Sequence, residues 1–228
     1  MTKKITKLLI FVGLVLIGLT SFIKGSYSQG LTTLFLAFAG MYWVEYREAM
    51  RYFDSISKRI FVCVDFDAAR ALSKNLSEQL IFRNIGKEVD FVSDEIIQYY
   101  QGNFEKVKSS HKKLYLKRLL RWDYLIQNHA EIELNGHLGT FEEKTMLNYQ
   151  KQAVDKIEER QYQLLELKLK PYSETKIQNL RTLDNANLHT AELCKIMAQG
   201  TKVEKKKSAY LKSAQNLAPN TFISISIS

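Results

Sequence analysis

The sequence predicts an all-α protein, on three observations. Beyond the first forty-odd residues the chain is rich in Lys, Glu, Gln, Asn and Leu, a mixture dominated by good helix formers. Only two prolines, Pro171 and Pro219, and ten glycines punctuate 228 residues. A short turn followed by an aromatic and a charged helix start recurs along the chain. A loop-rich β fold or a dinucleotide-binding fold needs turn residues in many more places.

The first element is apolar. Lys3, Lys4 and Lys7 precede an uncharged run from Leu8 to Ile23, and a second uncharged run follows Lys24, from Gly25 to Val44. A helix needs about 20 apolar residues to cross the hydrocarbon core, so residues 1–46 read as a two-span transmembrane hairpin turning at "KGSYSQG". Tyr42, Trp43 and Tyr46 sit where an interfacial aromatic belt would close the second span. Basic residues cluster before the first span and after the second (Arg47, Arg51, Lys58, Arg59), against Lys24 between them. That asymmetry puts both ends in the cytoplasm and predicts a multi-pass protein of the cell membrane. A cleaved signal peptide shares the basic start and apolar run, but no A-x-A site follows at the right distance.

Residues 47–228 carry the turns. "VDFDAARALSKNL" from Val64, "QGNFEKVKSS" from Gln101 and "LGTFEEKTMLNY" from Leu138 share a small or polar pair, then Phe66, Phe104 or Phe141, then a charged helix start. Turns are also expected around Tyr172 and Lys202, and Pro219 should stop the helix before it. Repeats of this length mean stacked helix pairs that share a core with their neighbours. The pattern resembles the tetratricopeptide repeat family, carried by Asp65, Phe66 and Ala69, by Gly102, Asn103 and Phe104, and by Ala214, Leu217, Pro219 and Asn220. Val107 stands where the family has a small residue, and the spacing departs from the regular repeat. The resemblance implies a TPR-like α-solenoid over residues 47–222; an irregular helical bundle is the other all-α arrangement. Either needs a left-handed residue at Gly102.

The resemblance also implies a concave face. In its frame Val89, Val92, Ile96, Tyr99 and Tyr100 line a partner-binding groove, joined on the next helix by His129, Glu133 and His137. Their i, i+4, i+8 spacing puts the last three on one face. A helix continuing from Gly102 would gather Lys106, Lys113, Lys117 and Arg121 into a basic stripe suited to anionic lipid or an acidic partner. Glu158 and Glu159 read as a solvated pair whose carboxylates point apart. The final "FISISIS" alternates like a half-exposed strand.

Several classes of chemistry lack their signature. Cys63 and Cys194 have no CxxC spacing and read as buried thiols. No phosphate loop, nucleophile elbow, kinase set or HExxH occurs, so neither a metal, a cofactor nor a small-molecule substrate is expected. The net charge of +9 splits into +3 for residues 1–46 and +6 for the rest, too modest to imply nucleic acid. The expectation is a bacterial-type, non-enzymatic membrane adaptor or assembly factor that binds a peptide or helix of a membrane-complex protein. An immunity or peptide-sensing membrane protein is the alternative.

Overall fold

The computed structural model describes residues 2–136, 143–169 and 187–225, and these are helical without strands. Helix α1 (Thr2–Ile23) turns at Gly25, whose φ of 82° an L side chain rarely adopts, into α2 (Tyr27–Lys58). The two pack closely because glycines meet. A Cβ on Gly30 would lie 2.4 Å from the Phe22 ring and 2.9 Å from the Gly18 carbonyl. Phe11 and Phe38 close the same seam edge to face at 4.9 Å. The outer surfaces keep Leu9, Ile10, Leu16, Ile17, Leu31, Phe35 and Leu36 exposed.

One described helix, Lys4–Ile23, is long and apolar enough to cross a membrane, with a mean hydropathy of 2.2 over its most apolar stretch. That property is common to a membrane span and a signal sequence. The second uncharged run, from Tyr27 on, lies within α2, a single helix of 32 residues that passes residue 46 without a break. Its later turns bury Ala49, Phe53 and Ile56 in the core. Glu45, itself fully buried, accepts the Ile81 and Phe82 N–H groups at 2.8 and 2.7 Å. A carboxylate there meets the open donors of the turn leading into the later helix Arg83–Tyr100. Lys7 pairs with Glu48, fixing the basic end of α1 to α2.

A π-helical turn, Arg59–Cys63, follows α2, buries Ile60 and Phe61 and leaves Cys63 exposed. Of the two thiols expected inside, only Cys194 is buried, since the turn places its two larger side chains inward instead. Asp65 then caps α3 (Phe66–Gln79), accepting the Ala68 N–H at 3.0 Å. Helix α4 (Arg83–Tyr100) crosses α3 where Gly86 has no Cβ; one would meet the Ser77 Cα at 2.6 Å. At Gly102, φ 82°, the Gly102 and Asn103 N–H groups bond back to Tyr99 and Gln98 carbonyls at 3.0 and 2.9 Å. This closes α4 in the manner of a Schellman motif.

The helix expected after Gly102 is broken. Helix α5 (Phe104–Ser109) is one turn and a half, residues 110–116 run as a loop, and α6 (Lys117–Asn135) starts afresh. The buried Glu88 carboxylate accepts the Tyr115 and Leu116 N–H groups at 3.0 and 3.1 Å, satisfying the loop just before α6. Then come α7 (Glu143–Lys151), α8 (Lys156–Leu169), α9 (Asn187–Gly200), α10 (Glu204–Leu217) and α11 (Phe222–Ile225). The expected turns around Phe141 and Tyr172 lie outside the described residues. Those at Lys202 and before Pro219 fall between α9 and α10 and after α10. The core runs from Phe53 and Phe61 through Trp122, 5.9 and 5.6 Å from them, to Tyr100 and Leu188.

The described part of the tail, Phe222–Ile225, is a helical turn and not a strand. Phe222 and Ile223 are buried in a helical turn, the Phe222 ring 5.1 Å from Tyr99 and 5.0 Å from Phe104. Two adjacent apolar residues gain more by filling that gap than by alternating along an edge.

Candidate functional site

Four helices bring their polar side chains to one buried point. Tyr99 and Tyr100 end α4. His129 and Glu133, one turn apart, face inward from α6; Gln161 and Lys168, two turns apart, do so from α8; Glu192 and Lys195 from α9. The Tyr99 and Tyr100 hydroxyls donate to the two Glu192 carboxylate oxygens at 3.1 and 3.0 Å. The Lys168 ammonium reaches Glu192 at 2.6 Å, Glu133 at 2.8 Å and the Tyr99 hydroxyl at 2.7 Å. Lys195 adds a second cation to Glu133 at 3.3 Å. Gln161 donates to the Tyr100 hydroxyl at 2.8 Å.

The environment sets each charge. Burial opposes ionisation of Glu192, but Lys168 and the donors around it hold its carboxyl down to about 2. Burial likewise opposes ionisation of Glu133, and Lys168 with Lys195 outweighs it, lowering that carboxyl too. Lys168 is buried enough to favour the neutral amine, yet the carboxylates of Glu192 and Glu133 raise it. Burial, then the Glu192 charge, pushes both tyrosines well above their usual range. Burial and the nearby Lys168 charge lower His129 to about 4.

His129 is therefore neutral at pH 7. Its Nε2 lies 3.1 Å from the Gln161 carbonyl, which only accepts, so Nε2 carries the proton and Nδ1 takes the Lys168 ammonium at 3.3 Å. Two carboxylates face two ammoniums, and the lone pair and proton of the imidazole are both engaged. The arrangement is a neutral, hydrogen-bonded joint among α4, α6, α8 and α9. Beside it a cleft of about 440 Å³ is lined by Glu133, Lys168, Glu192 and Lys195, with Ile132, Leu167 and Ile196 as its apolar wall.

The structure thus gathers Tyr99, Tyr100, His129 and Glu133, but not as an open groove. Val92, Ile96, Tyr99, Tyr100 and His129 are all fully buried, because α2 and α6 pack along α4 while side chains of α9 and α11 close over Tyr99 and Tyr100. Glu133 alone of the six reaches the cleft. His137 lies outside the described residues. The basic stripe is likewise dispersed. Lys106 sits on α5, Lys113 in the following loop and Lys117 at the start of α6, all exposed. Arg121 is buried and donates to Glu158 at 2.7 Å, so Glu158 is no solvated acid either. Burial weakens the Arg121 cation, and that bond together with the Glu158 charge more than restores it.

Lys168 and Glu192 were not foreseen, although the sequence holds a signal for both. Lys168 continues the stripe of Gln161, Leu164 and Leu165, and Glu192 interrupts that of Leu188 and Ala191. A charge on an apolar stripe asks for a buried partner. Among the described residues no group of three or more His, Cys, Asp or Glu side chains is placed to hold a metal ion. No protein-family model matches the chain, and neither a curated protein nor a solved structure matches it.

Proposed function

We propose that this chain is a membrane-anchored, non-enzymatic interaction protein, an adaptor or assembly factor that holds a peptide or helix of a membrane-complex partner at the cytoplasmic face. The observation that carries the reading is α2. One unbroken helix starts beside the exposed aliphatic surface of α1 and ends inside the core at Phe53 and Ile56. A rigid link of this kind suits a domain held at fixed height under a bilayer, where its local concentration near a membrane partner is high. Tyr42, Trp43 and the basic residues beyond support a second span in the first half of α2. The helix pairs α3–α4 and α9–α10 suit a TPR-like arrangement.

The cleft at Glu133 and Lys195 is the best-supported binding surface, since paired charges beside Ile132 and Ile196 match the mixed chemistry of a peptide. Cys63 provides the test of orientation, being exposed while Cys194 is buried. A membrane-impermeant maleimide should label Cys63 in inverted vesicles and spare it in spheroplasts. The reverse pattern would place the domain outside and end the cytoplasmic reading. For the partner, a photo-crosslinker at exposed Gln199, on the cleft rim, should capture a discrete membrane protein that one at Lys206 does not. Equal capture from both positions would remove the cleft from the interface.

A further inference from the structure

A second cleft lies on the other side of α4. It encloses about 600 Å³ between α3, α4, α5 and the loop after α5, within the range of small-molecule sites. Five cationic side chains line it, Arg70, Lys74, Lys87, Lys106 and Lys112, against the carboxylates of Asp90 and Asp94. Arg70 is committed to Asp94 at 3.6 Å and to Gln101 at 2.9 Å. Asp90 accepts the Ser73 hydroxyl at 2.5 Å. Lys74, Lys87 and Lys106 are exposed and, among the described residues, join no ion pair. Lys112 lies over the Phe91 ring at 5.3 Å, with its ammonium on the Lys87 carbonyl.

The third acid of the cleft adds no negative charge. Glu95 is 4% exposed. Its Oε1 accepts from the Ser110 hydroxyl and, at 3.1 Å, from the Gln127 amide, while Oε2 has no donor. Burial, and then the neighbouring Asp123 carboxyl, pushes Glu95 up to about 9. With both lone pairs of Oε1 engaged, the proton belongs on Oε2. A neutral floor beneath unpaired lysines is an arrangement for an anion.

We propose that this cleft binds a phosphate-bearing ligand, with Lys74, Lys87 and Lys106 as its free cations. Ammonium groups act on phosphate as point charges from several directions, so they need no planar fork. The volume admits a headgroup or a small phosphorylated molecule. Lys74 stands one turn before Glu78, whose carbonyl accepts the Lys4 ammonium at the start of α1. The cleft is therefore near the end of the apolar segment, within reach of a lipid phosphate.

The test uses the full-length chain in a neutral detergent, titrated separately with sodium pyrophosphate and with a short-chain phosphatidylglycerol, binding being read from the 31P line width. At least one probe should saturate. The triple variant Lys74→Gln, Lys87→Gln, Lys106→Gln should weaken it roughly tenfold or more. Removing the same charge from α10 and the turn before it, by Lys202→Gln, Lys205→Gln and Lys206→Gln, should change binding by no more than about twofold. Pyrophosphate alone saturating would identify a soluble ligand, phosphatidylglycerol alone a lipid headgroup, and both the phosphate group itself. Saturation by neither probe overturns the proposal, as does equal weakening by the two triple variants, which would reduce it to net charge.

Discussion

Replacing Glu192 with Gln keeps the shape of the buried joint and removes its central charge. In the native protein that carboxylate faces the Lys168 ammonium at 2.6 Å and takes the hydroxyls of Tyr99 and Tyr100. Breaking a buried pair costs about 3–5 kcal/mol, because the remaining charge is left in a dry site. Glu133, at 2.8 Å, still pairs with Lys168 while shared with Lys195, and an amide oxygen can accept one of the two hydroxyls. The lower end, about 3 kcal/mol, is therefore expected, or roughly 6–12 °C in Tm for a chain of this size.

The effect must depend on pH with a definite sign. The Glu192 carboxyl is held at about 2 when folded, below its ordinary 4.5. Its contribution is thus present above about pH 4.5 and is lost as pH falls toward 2. Urea unfolding in mild detergent, followed by the fluorescence of Trp122 in a Trp43→Phe background, measures both quantities. The deficit of Glu192→Gln should shrink as the pH is lowered from 5 to 3. A variant within about 1 kcal/mol of the parent at pH 7, or a deficit that ignores pH, would refute the joint. The double replacement Lys168→Met, Glu192→Leu should recover much of the loss, since no charge is then stranded.

Three further outcomes are expected. His129, lowered to about 4 from 6.5, takes its proton in the unfolded chain first, so folded stability falls as pH drops from 6.5 to 4. His129→Gln should remove that slope, at most about 1.4 kcal/mol per pH unit, and an unchanged profile would mean the imidazole is solvated. Glu95 works the other way: raised to about 9, it holds a proton that the unfolded chain releases near 4.5. Stability should therefore fall as pH rises through that window, and Glu95→Gln should gain on the parent between pH 5 and pH 8; parallel melting curves would contradict it. Finally, Glu45→Ala strands the Ile81 and Phe82 N–H groups. A loss of about 1–3 kcal/mol should accompany faster hydrogen exchange at those two amides, and unaltered exchange would show that α4 starts without help from α2.

What the backbone settles within a few residues was legible before any contact was known. Helicity follows from the scarcity of Pro and Gly; the apolar α1 follows from an uncharged run. The ends of α3, α4 and α10 follow from Asp65, Gly102 and Pro219, each of which acts on its own turn of chain. Tertiary structure decided which face of each helix is interior. Tyr99 and Glu192 are 93 residues apart, and nothing near Tyr99 says that α9 and α11 will cover it. Glu88 satisfies the loop that separates α5 from α6, so a basic stripe plausible on one helix is divided among two helices and a loop. Phe222 and Ile223 open a stretch that alternates like a strand, yet they fold as a buried turn because a gap beside Tyr99 and Phe104 was there to fill. Burial is a property of the partner as much as of the residue. A polar side chain on an apolar stripe signals that a partner is needed, and only the assembled helices supply it.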